Sequence, residues 1–188
     1  MLKKIRLALL SVFICLCLFP IQSYALENNE FNYIIYDNEV VIISYIGNKQ
    51  DVIIPETIDG LKVTSISQEF MAENYATLHS LYIPKTIEKV HKGWYDAYFL
   101  DLNVEEFIVD MNNKIFDCYD GAIYTKNYQT LLKIPDKKSI QIHENVNKFQ
   151  PGCFDYTKIE SITIPKNVQS FRSNYESGLF EGCDYIKK

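Results

Sequence analysis

Two ten-residue stretches, LYIPKTIEKV at 81–90 and ITIPKNVQSF at 162–171, follow one pattern. In each, two apolar residues flank a third residue, Pro and Lys follow, and apolar residues stand three and six positions after the proline. A catalytic motif is seldom duplicated, because one active site needs one set of groups. A structural repeat must be duplicated, because each copy covers the open face of the copy before it. The duplication therefore predicts a repeat architecture.

Alignment on these motifs gives five units along the chain. They start at residues 52, 78, 104, 140 and 159. In the third and fourth units, Asp110 and His143 replace the motif proline. From Ile142 to Ile164 the step is 22 residues, within the range of about 20–29 residues found in leucine-rich repeats.

The alternation inside the motif predicts a short strand. Leu81 and Ile83 should face the core while Tyr82 faces solvent. Pro84 should end the strand, because proline cannot donate a hydrogen bond to a neighbouring strand. The later apolar pair, Ile87 and Val90, should return along the opposite side of the same core. No single unit could bury its inner face alone, so the units must stack.

Two segments fall outside the repeat. Residues 26–50 contain two apolar runs around Asp37-Asn38 and predict an N-terminal hairpin that caps the first coil. Residues 51–188 are assigned to the solenoid, with a second hairpin inserted at about 112–135. Its predicted turns are Asp120-Gly121 and Lys126-Asn127.

Several phrases together resemble the BspA-type leucine-rich repeat proteins. They are VIIPETIDGLKVTSI at 52–66, SLYIPKTIEKV at 80–90, DGAIYTK at 120–126, LLKIP at 131–135, SITIPKNV at 161–168 and LFEGC at 179–183. The resemblance extends from about residue 31 to the end. It implies a mainly β, right-handed solenoid with short helical or irregular turns. It also implies a protein displayed at the surface of bacteria or some parasitic protists, where some members attach to host matrix proteins.

Residues 1–25 have the features of a signal peptide. Lys3, Lys4 and Arg6 precede an apolar run at 7–19, and Ser23 and Ala25 place small residues before a cut ahead of Leu26. An uncleaved membrane helix is the alternative, which the short run and the polar residues after it disfavour. We therefore expect a secreted or cell-surface protein with no membrane span after cleavage.

The net charge and the cysteine content limit the kinds of partner and site that we expect. Without three basic signal residues, the remaining 163 residues carry 16 basic and 24 acidic side chains, a net charge of −8. This charge disfavours nucleic acid as a partner. Cys118, Cys153 and Cys183 remain, an odd number with no CxxC motif. No metal or cofactor site is predicted.

The sequence offers no catalytic motif. His79, His91 and His143 lie in different units, outside any GxSxG or HExxH pattern. A thiol–imidazole pair of Cys153 with His143 is the enzymatic alternative. The competing interpretation has His143 as a solvated residue at a strand end. We predict a protein that is not an enzyme.

Two candidate ligand-binding surfaces emerge from the pattern. The outward positions of the aligned strands should form one row on the sheet face: Ile53, Tyr82, Ile108, Gln141 and Thr163. The second candidate is an aromatic patch of Trp94, Tyr95 and Tyr98. The structural alternatives are that apolar and aromatic residues simply favour strands, and that the patch belongs to the core.

These observations predict a non-enzymatic binding or adhesion module for an extracellular protein or glycan. One alternative is a scaffold or accessory module that another chain completes at its open C-terminal end, with self-association as one form of that. A secreted hydrolase or transferase is a further alternative, which would require a cleft with converging polar groups.

Overall fold

The computed structural model describes residues 26–67, 70, 77–91 and 102–168. These residues form short strands and one 3-10 turn, and no α-helix. In chain order they are β1 Leu26–Glu27, β2 Phe31–Tyr36, β3 Glu39–Tyr45, β4 Asp51–Ile53, β5 Thr57–Ile58, β6 Leu61–Ser67, β7 Leu78–Ile83, β8 Lys89–His91, β9 Val104–Val109, β10 Phe116–Tyr119, β11 Ala122–Thr125, the 3-10 turn Lys126–Tyr128, β12 Thr130–Lys133, β13 Ser139–Gln141, β14 Lys148–Phe149 and β15 Ser161–Thr163. The predicted mainly β solenoid is confirmed.

The chain winds between two rows of parallel strands. The front row consists of β4, β7 and β9, paired in that order, followed by β13 paired with β15. The rear row consists of β3, β6 and β8. Pro84 follows the front strand β7, and three residues later Ile87 is fully buried between the rows. The predicted return of the chain after each proline is therefore confirmed in this coil.

The N-terminal hairpin closes the first coil. β2 and β3 pair antiparallel across a two-residue turn at Asp37 and Asn38, which both have positive φ angles. Two successive positive φ angles match the twist of a hairpin, and Asn and Asp tolerate them better than most residues. The last strand of the hairpin, β3, pairs parallel with β6 of the solenoid. The predicted hairpin cap is confirmed.

The inserted hairpin, β10 and β11, enters the front row. Its turn is formed by Asp120 and Gly121, with φ angles of 50° and 76°. The Phe107 N–H of β9 donates to the Gly121 carbonyl at 2.9 Å. On the other side, the Gln141 N–H of β13 donates to Asp120 Oδ2 at 2.6 Å. The hairpin tip therefore takes the place of a strand between β9 and β13.

One buried amide fixes the turn before the hairpin. Asn113 is fully buried, and its Nδ2 donates to the carbonyls of Pro84 at 2.9 Å and Ile87 at 3.0 Å. Its Oδ1 accepts the N–H groups of Ile115 and Phe116, each at 2.8 Å. Buried hydrogen-bonding groups are nearly always paired, and the Asn113 side chain pairs four backbone groups at once. Because two of them lie in one coil and two in the next, this side chain ties the neighbouring coils together.

Candidate binding face on the front row of strands

The outward side chains of the front row form an apolar ridge. The strand register sets Ile53 opposite Tyr82 and Tyr82 opposite Ile108. Ile53 is 68% exposed and Ile108 is 38% exposed, although both are large and apolar. The inward neighbours Leu81 and Ile83 are fully buried. We call Ile53, Tyr82 and Ile108 the apolar ridge.

The ring of Tyr82 is held in place on this ridge. Its hydroxyl donates to Asp110 Oδ2 at 2.9 Å. The Asn112 N–H and the Tyr82 hydroxyl both bond to Asp110, and they lower the pKa of its carboxyl group. The same bond raises the pKa of Tyr82. A tyrosine fixed this way loses less conformational entropy when it contacts a ligand.

The other two predicted face residues lie beyond the hairpin tip. Gln141 and Thr163 pair across β13 and β15, and so do Ser139 and Ser161. All four are exposed. Together with Asp120 they line an open groove of about 650 Å³. The predicted row of five is thus divided by the hairpin tip into an apolar ridge and a polar groove.

Tyr119 contacts the polar groove through Gln141, and two further aromatic rings pack against Tyr119. Tyr119, on the hairpin, donates its hydroxyl to Gln141 Oε1 at 3.3 Å and remains 38% exposed. The rings of Tyr128 and His143 stack with centroids 3.9 Å apart and an interplanar angle of 10°. Tyr119 meets His143 edge-on at 5.1 Å. The sequence pattern missed Tyr119 and Asp120, because the repeat alignment treats the hairpin as an insertion outside the sheet.

A second outward row carries charge. Two residues before Ile53 and Tyr82, Asp51 pairs with Ser80, and Ser80 pairs with Glu106. Asp51 Oδ1 accepts the Ser80 hydroxyl at 2.7 Å and lies 2.7 Å from His79 Nδ1. The period of two in a strand identifies these residues once Ile53 and Tyr82 are placed on the surface.

The ion pair between His79 and Asp51 makes this row sensitive to pH. Asp51 raises the pKa of His79 above its ordinary value of 6.5, and Glu105 and Glu106 add to the effect. Ser80 and then His79 lower the pKa of Asp51 below 3.8. The raised pKa of His79 means that its contribution to stability is lost as the pH rises through that pKa. The lowered pKa of Asp51 means that its contribution is lost as the pH falls through that pKa. The pair therefore stabilises the fold at pH values above the pKa of Asp51 and below the pKa of His79.

The histidine titration can be measured directly. In an NMR titration, we expect His79 to titrate above 6.5, and Asp51→Asn should lower its midpoint because the main partner charge is lost. Glu39→Gln is the control, since Glu39 bonds Thr64 on the rear row. An unchanged His79 midpoint in Asp51→Asn would show that the pair does not form in solution.

The two members of the predicted thiol–imidazole pair, Cys153 and His143, lie in different surroundings. Cys153 is fully buried beside Phe149 and Phe154 in the core, while His143 is half-buried, stacks on Tyr128 and accepts the Asn145 N–H at Nδ1.

Within residues 26–67, 70, 77–91 and 102–168, no three His, Cys, Asp or Glu side chains are arranged to hold a metal ion. In the same residues, no helix has the length and apolar character needed to cross a membrane. The predicted aromatic patch of Trp94, Tyr95 and Tyr98 lies outside the described residues.

Comparison with known families identifies the repeat. Residues 122–187 match the family model described as "BspA type Leucine rich repeat region (6 copies)". Residues 122–187 carry BspA-type leucine-rich repeats. The match begins at β11 and includes the strands β13 and β15 that line the polar groove. The resemblance drawn from the sequence is confirmed over these residues, and this repeat family is typically non-enzymatic and found at the cell surface or secreted.

Solved structures of bacterial proteins give more distant likenesses. The chain is similar to a leucine-rich repeat protein from Eubacterium ventriosum ATCC 27560, at 13% identity over 75% of this chain and 59% of that one, with a TM-score of 0.40. It is also similar to a leucine rich cell surface protein from Faecalibacterium prausnitzii A2-165, at 11% identity over 87% and 81% of the two chains, with a TM-score of 0.35.

A third likeness is to the pneumococcal vaccine antigen PcpA, at 10% identity over 79% of this chain and 72% of that one, with a TM-score of 0.32. The chain thus spans 59% of the length of the Eubacterium protein. These likenesses are too distant to carry a function over to this chain. No curated protein matches it.

Proposed function

We propose that this BspA-type repeat protein is a secreted or cell-surface binding module that holds a macromolecular ligand, a protein or a glycan, on its front face. Export follows from the predicted signal peptide at residues 1–25. The observation that carries the proposal is the apolar ridge, where three strands align Ile53, Tyr82 and Ile108 toward solvent. Exposed apolar residues that adjoin one another mark interaction surfaces better than scattered ones.

The ridge has the composition of an interface centre. A fixed aromatic ring lies between two exposed isoleucines, and charged residues such as Asp51 and Glu106 lie beside it. Energetically important contacts are usually central and apolar, with a polar rim around them. Full burial of a fully exposed isoleucine is worth about 1.5–3 kcal/mol. Ile53 and Ile108 are 68% and 38% exposed, so a ligand that covers both gains about the burial energy of one such isoleucine.

The experiment is a binding panel of purified extracellular matrix proteins and glycans. For a ligand that occupies the ridge, the double variant Ile53→Ser/Ile108→Ser should weaken binding at least about tenfold, since about 1.4 kcal/mol corresponds to a factor of ten. The control is Ile35→Ser/Tyr36→Ser, which removes two exposed apolar residues from the N-terminal hairpin. Equal affinity in both double variants for every ligand found would refute the ridge as the binding surface.

The scaffold alternative depends on residues after 168, which lie outside the described part of the chain. It predicts assembly that increases with protein concentration. Light scattering over a concentration series separates it from the binding module, for which the protein should bind its ligand as a monomer.

A further inference from the structure

The polar groove differs from the rest of the front face in shape and chemistry. Two parallel strands, β13 and β15, form its floor, and the hairpin tip with Asp120 stands at its side. On the ridge side of the tip the outward residues are apolar. On the groove side they are two serines, a threonine and a glutamine. The tip therefore turns a flat strand surface into a concave one.

The floor presents free hydrogen-bonding groups in a regular array. The hydroxyls of Ser139, Ser161 and Thr163 and the Nε2 amide group of Gln141 bond no other group of the described residues. Neighbouring strands are about 4.8 Å apart and alternate residues about 7 Å apart. The four side chains thus stand at the corners of a small rectangle. Hydroxyls both donate and accept, so the array suits a ligand whose groups do the same.

The residues that line the groove disfavour anionic ligands. Asp120 is the one charged residue among those that line it, and no lysine or arginine does. One Asp120 oxygen accepts the Gln141 N–H, which leaves Oδ1 to accept from a ligand hydroxyl. Lys138, the residue before β13, is paired with Glu160 at 2.8 Å, and Lys137 Nζ lies close to Gly121 of the hairpin tip, outside the residues that line the groove. Phosphate, sulfate or uronate groups would therefore meet the Asp120 carboxylate and no cation among the lining residues.

An aromatic ring completes the site. Tyr119 is tied to Gln141 through its hydroxyl and braced edge-on by His143, which itself stacks on Tyr128. Its exposed ring offers an apolar surface of fixed orientation beside the polar array. A sugar ring carries hydroxyls that can bond the polar side chains of the floor, and C–H groups that can pack against the ring of Tyr119.

We propose that this groove is a subsite for neutral carbohydrate, formed by Asp120, Ser139, Gln141, Ser161, Thr163 and Tyr119. The inference rests on the proposed function, because it names the ligand class for one half of the binding face. A protein partner that contacts only the apolar ridge would leave the groove empty.

The test uses neutral and acidic polysaccharides on one array. The neutral probes are mannan, β-1,3-glucan, galactan and N-acetylglucosamine hexamer, and the acidic probes are hyaluronan and heparin. We expect the wild-type protein to bind at least one neutral probe and neither acidic one. Gln141→Ala/Ser161→Ala should weaken that binding at least about tenfold, because a lost hydrogen bond is worth about 0.5–1.5 kcal/mol.

Gln129→Ala is the matched control, since Gln129 is also an exposed glutamine but bonds Asn147 outside the groove. It should bind as the wild type does, and circular dichroism should show all variants folded. Binding of no neutral probe would overturn the inference, as would binding unaffected by Gln141→Ala/Ser161→Ala. If a protein ligand is nevertheless lost in Ile53→Ser/Ile108→Ser, the inference fails and the proposed function stands.

Discussion

Ile83→Asp should unfold the solenoid, whereas Tyr82→Ser should leave it folded. Ile83 is fully buried between the two rows of strands, opposite Val109 of the next coil. Aspartate there would place an unpaired charge in the core. Such a charge costs several kcal/mol, roughly the whole stability of a domain, about 5–15 kcal/mol. Urea denaturation followed by circular dichroism measures the loss for both variants.

Tyr82→Ser is the matched control because it changes the adjacent residue on the opposite side of the same strand. Tyr82 is half-buried, and its loss removes one hydrogen bond to Asp110 and some packing on the ridge. We expect it to lower the free energy of unfolding by about 1 kcal/mol. Equal losses in the two variants would mean that the strand does not present alternate faces to core and solvent.

Asn113→Ala should strongly destabilise the solenoid. The buried amide serves two carbonyls and two N–H groups, and alanine would leave all four without that partner. Each unsatisfied buried group costs about 1–3 kcal/mol, although rearrangement and entering water recover part of it. We expect a loss of about 3–5 kcal/mol in the free energy of unfolding.

Asn112→Ala is the control for Asn113→Ala. Asn112 is the preceding residue but is exposed, and among the described residues its side chain bonds only the nearby Asp110, at 3.2 Å. Its loss should change stability by less than about 1 kcal/mol. If the two alanine variants melt alike, the amide of Asn113 does not join the two coils.

The solenoid could be predicted because its cause is local and repeated. Alternating apolar residues followed by proline identify a short strand and the place where it ends, and the structure has such strands at β4, β7 and β15 with the outward residues in register. The turn at Asp37 and Asn38 could also be predicted from the sequence, since few residue pairs accept two positive φ angles. Both features depend on a few neighbouring residues only.

The position of the hairpin tip could not be predicted in the same way. It depends on two hydrogen bonds between residues far apart in the chain, Phe107 to Gly121 and Gln141 to Asp120. Neither bond leaves a periodic signal. The sequence therefore predicted one row of five outward residues, whereas the hairpin divides it and adds Tyr119 and Asp120 to the surface. The role of Asn113 could not be predicted either, because its side chain bonds the carbonyls of Pro84 and Ile87, which are far from it in the chain.

The central claim, that the front face binds the ligand, is tested most directly by hydrogen exchange of the free and ligand-bound protein. The amides of the front strands, Asp51–Ile53, Leu78–Ile83, Val104–Val109, Ser139–Gln141 and Ser161–Thr163, should gain protection. The rear strands Leu61–Ser67 and Lys89–His91 should exchange as they do in the free protein. Protection confined to the rear strands, with the front strands unchanged, would contradict the account.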